Sequence, residues 1–292
     1  MTTAPHIAHA PYTAQDYKTD LKPVWCPGCG DFAVLNSVYR ALADLKCEPH
    51  ETVIVSGIGC SSRLPGYVET YGFNSLHGRA LPIATGAKLA APNLHVIAVG
   101  GDGDGLAIGG NHFMHAARRN VDIAYFIMDN EIYGLTKGQA APTTPHGDKT
   151  KSTTYGNPEI SIDPCALAIS LGASWVARAF AGDVKGTTEL MKEAITHHGF
   201  AFLNIISPCV TWRGDDQMKL LRPLCRPVAP DHDRTDREAA LRYTSEPDDR
   251  LTVGVLFSSP RASLLDEMID IRERAAGVAM PPGRGEILAA FA

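Results

Sequence analysis

The sequence predicts an α/β fold, a parallel sheet with helices on both faces. Three observations predict it. Short apolar runs alternate with segments of helical periodicity from residue 30 to residue 206. The runs are continuous (TVIV at 52–55, LHVIAVG at 94–100, DIAYFIM at 122–128, FAFLNII at 200–206), as strands buried on both faces require. Glycine- and cysteine-rich segments follow the runs at Val55, Gly100, Met128 and Ile206. A parallel sheet gathers such segments at one edge, where its ligands collect.

The elements follow in order. Residues 1–22 are polar, hold two prolines and show no period, and read as an N-terminal arm. Residues 30–45 place Phe32, Leu35, Val38, Tyr39, Leu42 and Leu45 at helical spacing. The strand 52–55 closes at Gly57, and 79–91 reads as a helix of small residues in which Gly86 and Ala87 permit close packing. The strand 94–100 leads into GDGDG and then a helix over 106–119, with Leu106, Phe113, Ala116 and Ala117 on one side. The strand 122–128 ends at Asp129-Asn130. Residues 131–162 show little period, and a loop of that length in a compact domain is usually functional. A helix at 163–172, a strand at 174–180, a helix at 184–198 and the strand 200–206 complete the alternation. Prolines and the stretch DHDRTDREAALRYTSEPDDR then break it, with one more helix expected near 261–275. The chain divides into the arm 1–22, an α/β domain over 23–213 and a C-terminal extension over 214–292.

Composition narrows the function. The 292 residues are 45% hydrophobic and 20% charged, ordinary for a globular protein with a sizeable core. A formal charge of −5 without a basic run argues against nucleic-acid binding. No run of about 18 apolar residues predicts a membrane span. The first twenty residues lack a basic start followed by an apolar core, so no secretory signal is visible and a cytoplasmic location is expected. Seven cysteines then point to metal or redox chemistry rather than a disulfide framework.

Residues 100–105 read GGDGDG between a strand and a helix. The glycines let the main chain approach an anion, and the helix amino end favours its charge. Asp102 stands where a carboxylate can hold a hard cation between two phosphates, and Asn130 offers an amide oxygen at the end of the next strand. One carboxylate, one amide, one carbonyl and two phosphate oxygens suit Mg²⁺. Turn chemistry alone would account for either segment, but the succession GDG, helix, strand, DN is far more specific. It resembles the thiamine-diphosphate enzymes, whose signature opens on GDG and closes on Asn. Gly101, Asp102, Gly103 and Asn130 match, while Asp129 departs from the usual NN close. The resemblance implies Asp102, Asn130 and the Ile132 carbonyl as Mg²⁺ ligands. It places Gly103 and Asp104 on the diphosphate, with Gly134 and Leu135 beside it.

Cys26 and Cys29 lie in WCPGCG, Cys60 in GIGCSS and Cys209 in SPCVTW. A CxxC turn can hold one metal ion or two corners of a cluster. Taken alone it favours structural zinc or a redox dithiol. Four thiolates suit zinc or an iron–sulfur cluster, and spacing does not choose between them. Cys47, Cys165 and Cys225 read as ordinary cysteines, with Cys165 in the core.

CPGCG, GIGCSSRLPGY, LHGRALPIATGAK, GDGDGLAIGGNH, DNEIYGLTKGQ and SPCVTW, in this order, resemble the β subunit of 2-oxoacid:ferredoxin oxidoreductases over 24–213, and more weakly to the end. The resemblance implies that Cys26, Cys29, Cys60 and Cys209 hold one 4Fe-4S cluster. Ile58, Gly59, Cys60 and Ser61 would flank the cofactor, putting Cys60 near both centres. His77, Gly78 and Arg79 would meet the diphosphate, Thr136 would hydrogen-bond it, and Lys137 would meet the substrate carboxylate. A lone histidine would read as a capping or surface residue, but at a helix amino end near phosphate-binding turns a diphosphate contact is the better reading of His77 and Arg79; Lys137 on its own reads as a solvated side chain. His112 and His115 read as packing or surface residues, since no third ligand is apparent.

Thiamine diphosphate needs its aminopyrimidine activated by a glutamate on a separate domain of this enzyme class, and only one α/β unit is visible. The resemblance therefore implies an α subunit that bears the pyrimidine-binding domain, in a dimer of heterodimers, with ferredoxin, CoA and a 2-oxoacid as further partners. The expected reaction is oxidative decarboxylation of 2-oxoglutarate to succinyl-CoA and CO₂ with reduction of ferredoxin. Pyruvate or a broader 2-oxoacid range is the alternative. A non-catalytic zinc-bound scaffold would keep the CxxC and the glycine loop but have no use for Asp102 or Asn130.

Overall fold

The computed structural model describes residues 12–245 and 250–276. In chain order, α1 is Asp31–Leu45, β1 Thr52–Ser56, β2 Tyr71–Asn74, α2 Ala80–Ala90, β3 His95–Gly101, α3 Gly110–Arg119 and β4 Ile123–Asp129. A small hairpin follows, with β5 at Ile132–Tyr133 and β6 at Gln139–Ala140. Then come α4 Pro164–Ser170, β7 Trp175–Phe180, α5 Val184–Thr196 and β8 Phe200–Ile206. The remainder is α6 Val210–Arg213, α7 Gln217–Leu221, β9 Cys225–Pro227, α8 Arg237–Arg242, β10 Leu251–Ser258 and α9 Leu264–Ala276.

The sheet runs β2-β1-β3-β4-β8-β7-β10-β9. Its central strands β4 and β8 are buried almost end to end, which is why their sequences are continuous apolar runs. Side chains alternate between two cores. On one face, Phe126, Met128, Leu203 and Ile205 share a core with Val34, Val38 and Leu42 of α1 and Met191 of α5. On the other, Tyr125, Ile127, Phe200 and Phe202 share one with Leu81 of α2, Phe113 of α3 and Ile169 of α4. The helices start and stop on local chemistry. Asp163 caps α4 through Ala166 N at 2.7 Å with Pro164 behind it, and α1 ends at Lys46 in the left-handed region.

The expected parallel sheet with helices on both faces is present, with one refinement: it is mainly parallel, and β10 runs antiparallel to β7. Residues beyond 213 thus add two strands to the same sheet, β9 and β10. The helix expected over 106–119 becomes regular only at Gly110, because Gly103–Ile108 winds into a wider π turn. There a Cβ on Gly109 would lie 2.5 Å from Asp104 O, so the backbone closes tightly around the glycine.

The expected arm begins with residues 1–11, outside the described residues, but its later part is packed. Tyr17 is fully buried and its hydroxyl reaches Cys47 O at 2.5 Å and Leu42 O at 3.2 Å. Tyr17→Phe is expected to lower the unfolding free energy by about 1–2 kcal/mol, as read by urea denaturation, because it leaves the Cys47 carbonyl without its donor, while Leu42 O still accepts from Cys47 N. An unchanged midpoint would show the contact to be idle. Among the described residues no helix is long and apolar enough to cross a membrane.

Candidate active site

The loops after β1, β3 and β4 meet at the carboxyl edge of the sheet around a cavity of about 190 Å³. Ile58, Gly59, Cys60 and Ser61 line it from the first loop. Asp102, Gly103 and Asp104 line it from the second, and Asn130, Ile132, Gly134, Leu135 and Thr136 from the third. His77 completes the wall.

Asp102 directly follows β3 and is 2% exposed. Its Oδ2 accepts from the Thr143 hydroxyl at 2.7 Å, and the same hydroxyl lies 2.9 Å from Oδ1 of Asp129. One hydroxyl has one proton for two carboxylates. Burial, and then the charge of Asp129, pushes the Asp102 carboxyl well above its usual range, and burial raises that of Asp129. Asn204 helps to hold Asp129 through its Nδ2 at 3.2 Å. Excess buried negative charge at the end of a strand is the donor chemistry of a cation site. Asn130 uses its Oδ1 to accept from Ile132 N at 3.1 Å, which folds the loop and keeps both residues on the cavity wall. Among the described residues no group of three or more His, Cys, Asp or Glu could hold a metal ion. The oxygens at this wall that could hold a cation are one carboxylate, an amide and a carbonyl, and such a set with a ligand's oxygens added suits a magnesium-like ion.

Asp104 lines the cavity, but its carboxylate turns toward the neighbouring loops. Its Oδ1 takes Ile58 N at 2.9 Å, Gly78 N at 2.8 Å and His77 Nδ1 at 2.7 Å. A Cβ on Gly57 would fall 1.9 Å from Oδ2, so only glycine lets the carboxylate in. Toward the cavity Asp104 therefore offers main chain. Asp104→Ala is expected to cost roughly 3 kcal/mol of stability, since three donors lose a charged acceptor. Urea denaturation checks this, and a loss below a third of that value would show the loops to be held otherwise. Gly78 sits behind Asp104, and Arg79 lines neither cavity, its guanidinium donating to Gly78 O at 3.4 Å. The Thr136 hydroxyl donates to Gln139 Oε1 at 2.6 Å.

A second cavity, of about 300 Å³, adjoins the first. Cys26, Cys29, Cys60 and Cys209 all line it, and so does Lys137. Gly30 N donates to Pro208 O at 3.1 Å and Ser207 Oγ to Asp31 at 2.7 Å, which ties the CxxC turn to the Cys209 loop. Burial pushes the Cys60 thiol up to about 11 and raises Cys29 and Cys209 as well. Thiols with that burden become thiolates when metal compensates the charge. Cys47 and Cys165 lie in the core and Cys225 stands apart, its thiol on Leu221 O. The two cavities share Cys60, Asn130, Gly134 and Leu135.

Sequence reasoning gave no role to Thr143, Asn204, Tyr133, Trp25 or Trp212. Tyr133 donates to Gly103 O at 3.0 Å and packs its ring where a Cβ on Gly103 would be. Only the tryptophans carried a signal, since they stand within three residues of Cys26 and Cys209.

Comparison with known proteins agrees with this geometry. Residues 57–205 match the family "Thiamine pyrophosphate enzyme, C-terminal TPP binding domain", and residues 209–273 match the C-terminal family of the pyruvate ferredoxin oxidoreductase beta subunit. The chain is 40% identical over 277 residues to 2-oxoacid:ferredoxin oxidoreductase 1, subunit beta, of Aeropyrum pernix, covering 91% of this chain and 87% of the relative. It is 46% identical over 211 residues to the 2-oxoglutarate synthase subunit KorB of Archaeoglobus fulgidus, covering 72% and 79%. A solved 2-oxoglutarate:ferredoxin oxidoreductase from Magnetococcus marinus, with 2-oxoglutarate, coenzyme A and succinyl-CoA bound, superposes with a TM-score of 0.90 at 42% identity, covering 97% of each chain. A thiamine-diphosphate-type domain, its adjoining cysteine cavity and these likenesses over nearly the whole chain have one reading: the chain belongs to the β subunits of the 2-oxoacid:ferredoxin oxidoreductases, and works as one subunit of a multi-subunit oxidoreductase.

Proposed function

We propose that this subunit binds thiamine diphosphate, Mg²⁺ and one 4Fe-4S cluster and, with an α subunit, oxidises 2-oxoglutarate with CoA to succinyl-CoA and CO₂, passing electrons to ferredoxin. The observation that carries the reading is the wall shared by the two cavities, where Cys60 and Gly134 face both. Asp102, Asn130 and the Ile132 carbonyl would hold Mg²⁺, and the glycine-rich main chain at 103–104 would approach the diphosphate. Cys26, Cys29, Cys60 and Cys209 would hold the cluster. Four thiols line one cavity, the number of protein ligands that a 4Fe-4S cluster takes, and the likeness to the family favours that cluster over zinc. When bound, thiamine diphosphate supplies the electron sink for decarboxylation.

This chain's own residues hold that chemistry in place. Asp104 fixes the β1 loop and His77 against the cavity. Thr143 holds Asp102 in one orientation by its hydroxyl. Lys137 is exposed on the cysteine side of the shared wall, where its ammonium is free to meet a substrate carboxylate. The test is anaerobic reduction of methyl viologen by the purified complex with CoA, offering 2-oxoglutarate and pyruvate separately. Selective turnover of 2-oxoglutarate is expected. Preference for pyruvate would overturn the specificity, and turnover of neither by an enzyme carrying both cofactors would overturn the substrate class.

A further inference from the structure

Two tryptophans line the cysteine cavity and hydrogen-bond to the wall it shares with the first. Trp25 stands beside Cys26 and is 7% exposed, its ring edge-on to Tyr67 at 5.0 Å and to Phe32 at 5.4 Å. Its indole N–H donates to Cys60 O at 2.7 Å. Trp212 lies on α6, three residues past Cys209, and donates to Gly134 O at 3.0 Å. Its ring covers Gly138, where a Cβ would lie 2.8 Å from Trp212 Cε3. Each indole thus runs from a cysteine-bearing segment to a carbonyl on the wall common to both cavities.

That wall is thin. A Cβ on Gly134 would lie 3.6 Å from Cys209 Sγ and 3.9 Å from Cys60 Sγ. The rest of α6 reinforces the same hold, because Arg213 pairs with Glu131 at 2.6 Å and with Asp148 at 2.5 Å. An indole is suited to such a tie, being a rigid ring with a donor and no acceptor.

We propose that Trp25 and Trp212 are positioning residues that fix the gap between the group held by the four cysteines and the group held at Asp102. The proposal rests on the functional reading above. Oxidation of a 2-oxoacid to the acyl level releases two electrons, and a cluster held by the four cysteines would take them across this wall one at a time and hand them to ferredoxin as the acceptor. Their rate depends on the gap, and preorganised spacing needs locked supports of this kind.

The test uses the complete two-subunit enzyme with Trp212→Phe and Trp25→Phe. Phenylalanine keeps an aromatic ring and deletes the donor. Both variants are expected to keep the parent's iron content and its affinity for thiamine diphosphate. In the parent, adding thiamine diphosphate and Mg²⁺ is expected to alter the electron paramagnetic resonance line shape of the dithionite-reduced cluster. In the variants that response disappears, and cluster reduction by 2-oxoglutarate in a single turnover slows severalfold, because the electron-transfer rate falls steeply as the gap widens. If one variant fails to assemble, the other carries the test. Variants that load both groups and keep the parent's response and rate would overturn the proposal. So would outright loss of iron or of thiamine diphosphate in both, which would make the indoles scaffolding. A parent enzyme that binds neither group would instead overturn the functional reading.

Discussion

Cys209→Ser is expected to strip the brown colour and the iron from the enzyme and to lower 2-oxoacid-dependent viologen reduction by on the order of a hundredfold or more. Loss of an outer-shell partner alone costs a metal site about 10–100-fold, and a lost ligand costs more. Serine offers a hard, weakly acidic oxygen where iron in a sulfur cluster wants a soft thiolate. Cys209 also heads α6, so the defect arises where the cysteine cavity and the cofactor loop join. Cys225→Ser is the matched control. Its thiol touches Leu221 O at 3.4 Å and does not line the cysteine cavity, so iron content and turnover should stay at the parent level. Iron analysis and steady-state assays read both. The reverse pattern would show that Cys225, not Cys209, is the ligand.

The parts of the fold that the sequence disclosed are those where burial is nearly complete. β4 and β8 leave continuous apolar runs because both their faces are covered. β2 left no such trace, because it is an edge strand whose four residues are all exposed and one of them is Gly72. β10 was hidden by a bulge between Val255 and Phe257 and by Gly254 at φ +125°, which break the alternation a strand normally shows. The same contrast runs through the site. Residue type and order were enough to nominate the cysteines and the GDG–DN pair, and the sheet brings each set to one cavity. Side-chain direction was not legible. Asp104 reads as part of a phosphate loop, yet its carboxylate is taken by Ile58, Gly78 and His77. Thr143 comes from a loop with no period, and only the folded chain sets its hydroxyl between Asp102 and Asp129.

Asp102→Asn should move stability and binding in opposite directions. The amide keeps the carboxylate's shape, and its oxygen can still accept from Thr143, so the fold around the end of β3 survives. What disappears is a buried charge whose pKa is driven up by burial and by Asp129. An uncompensated buried charge destabilises the empty protein. The cofactor-free variant should therefore be more stable by about 1 kcal/mol, the usual gain when a functional charge is removed. Its Mg²⁺-dependent affinity for thiamine diphosphate should fall by at least about a hundredfold, beyond the loss expected from an outer-shell change. Calorimetric titration with and without Mg²⁺, beside thermal unfolding of the empty chain, measures both quantities. Unchanged Mg²⁺-dependent affinity would remove Asp102 from the metal site. Reduced stability with reduced affinity would point to a collapsed loop, because only a ligand held against its own desolvation cost gains stability when its charge is taken away.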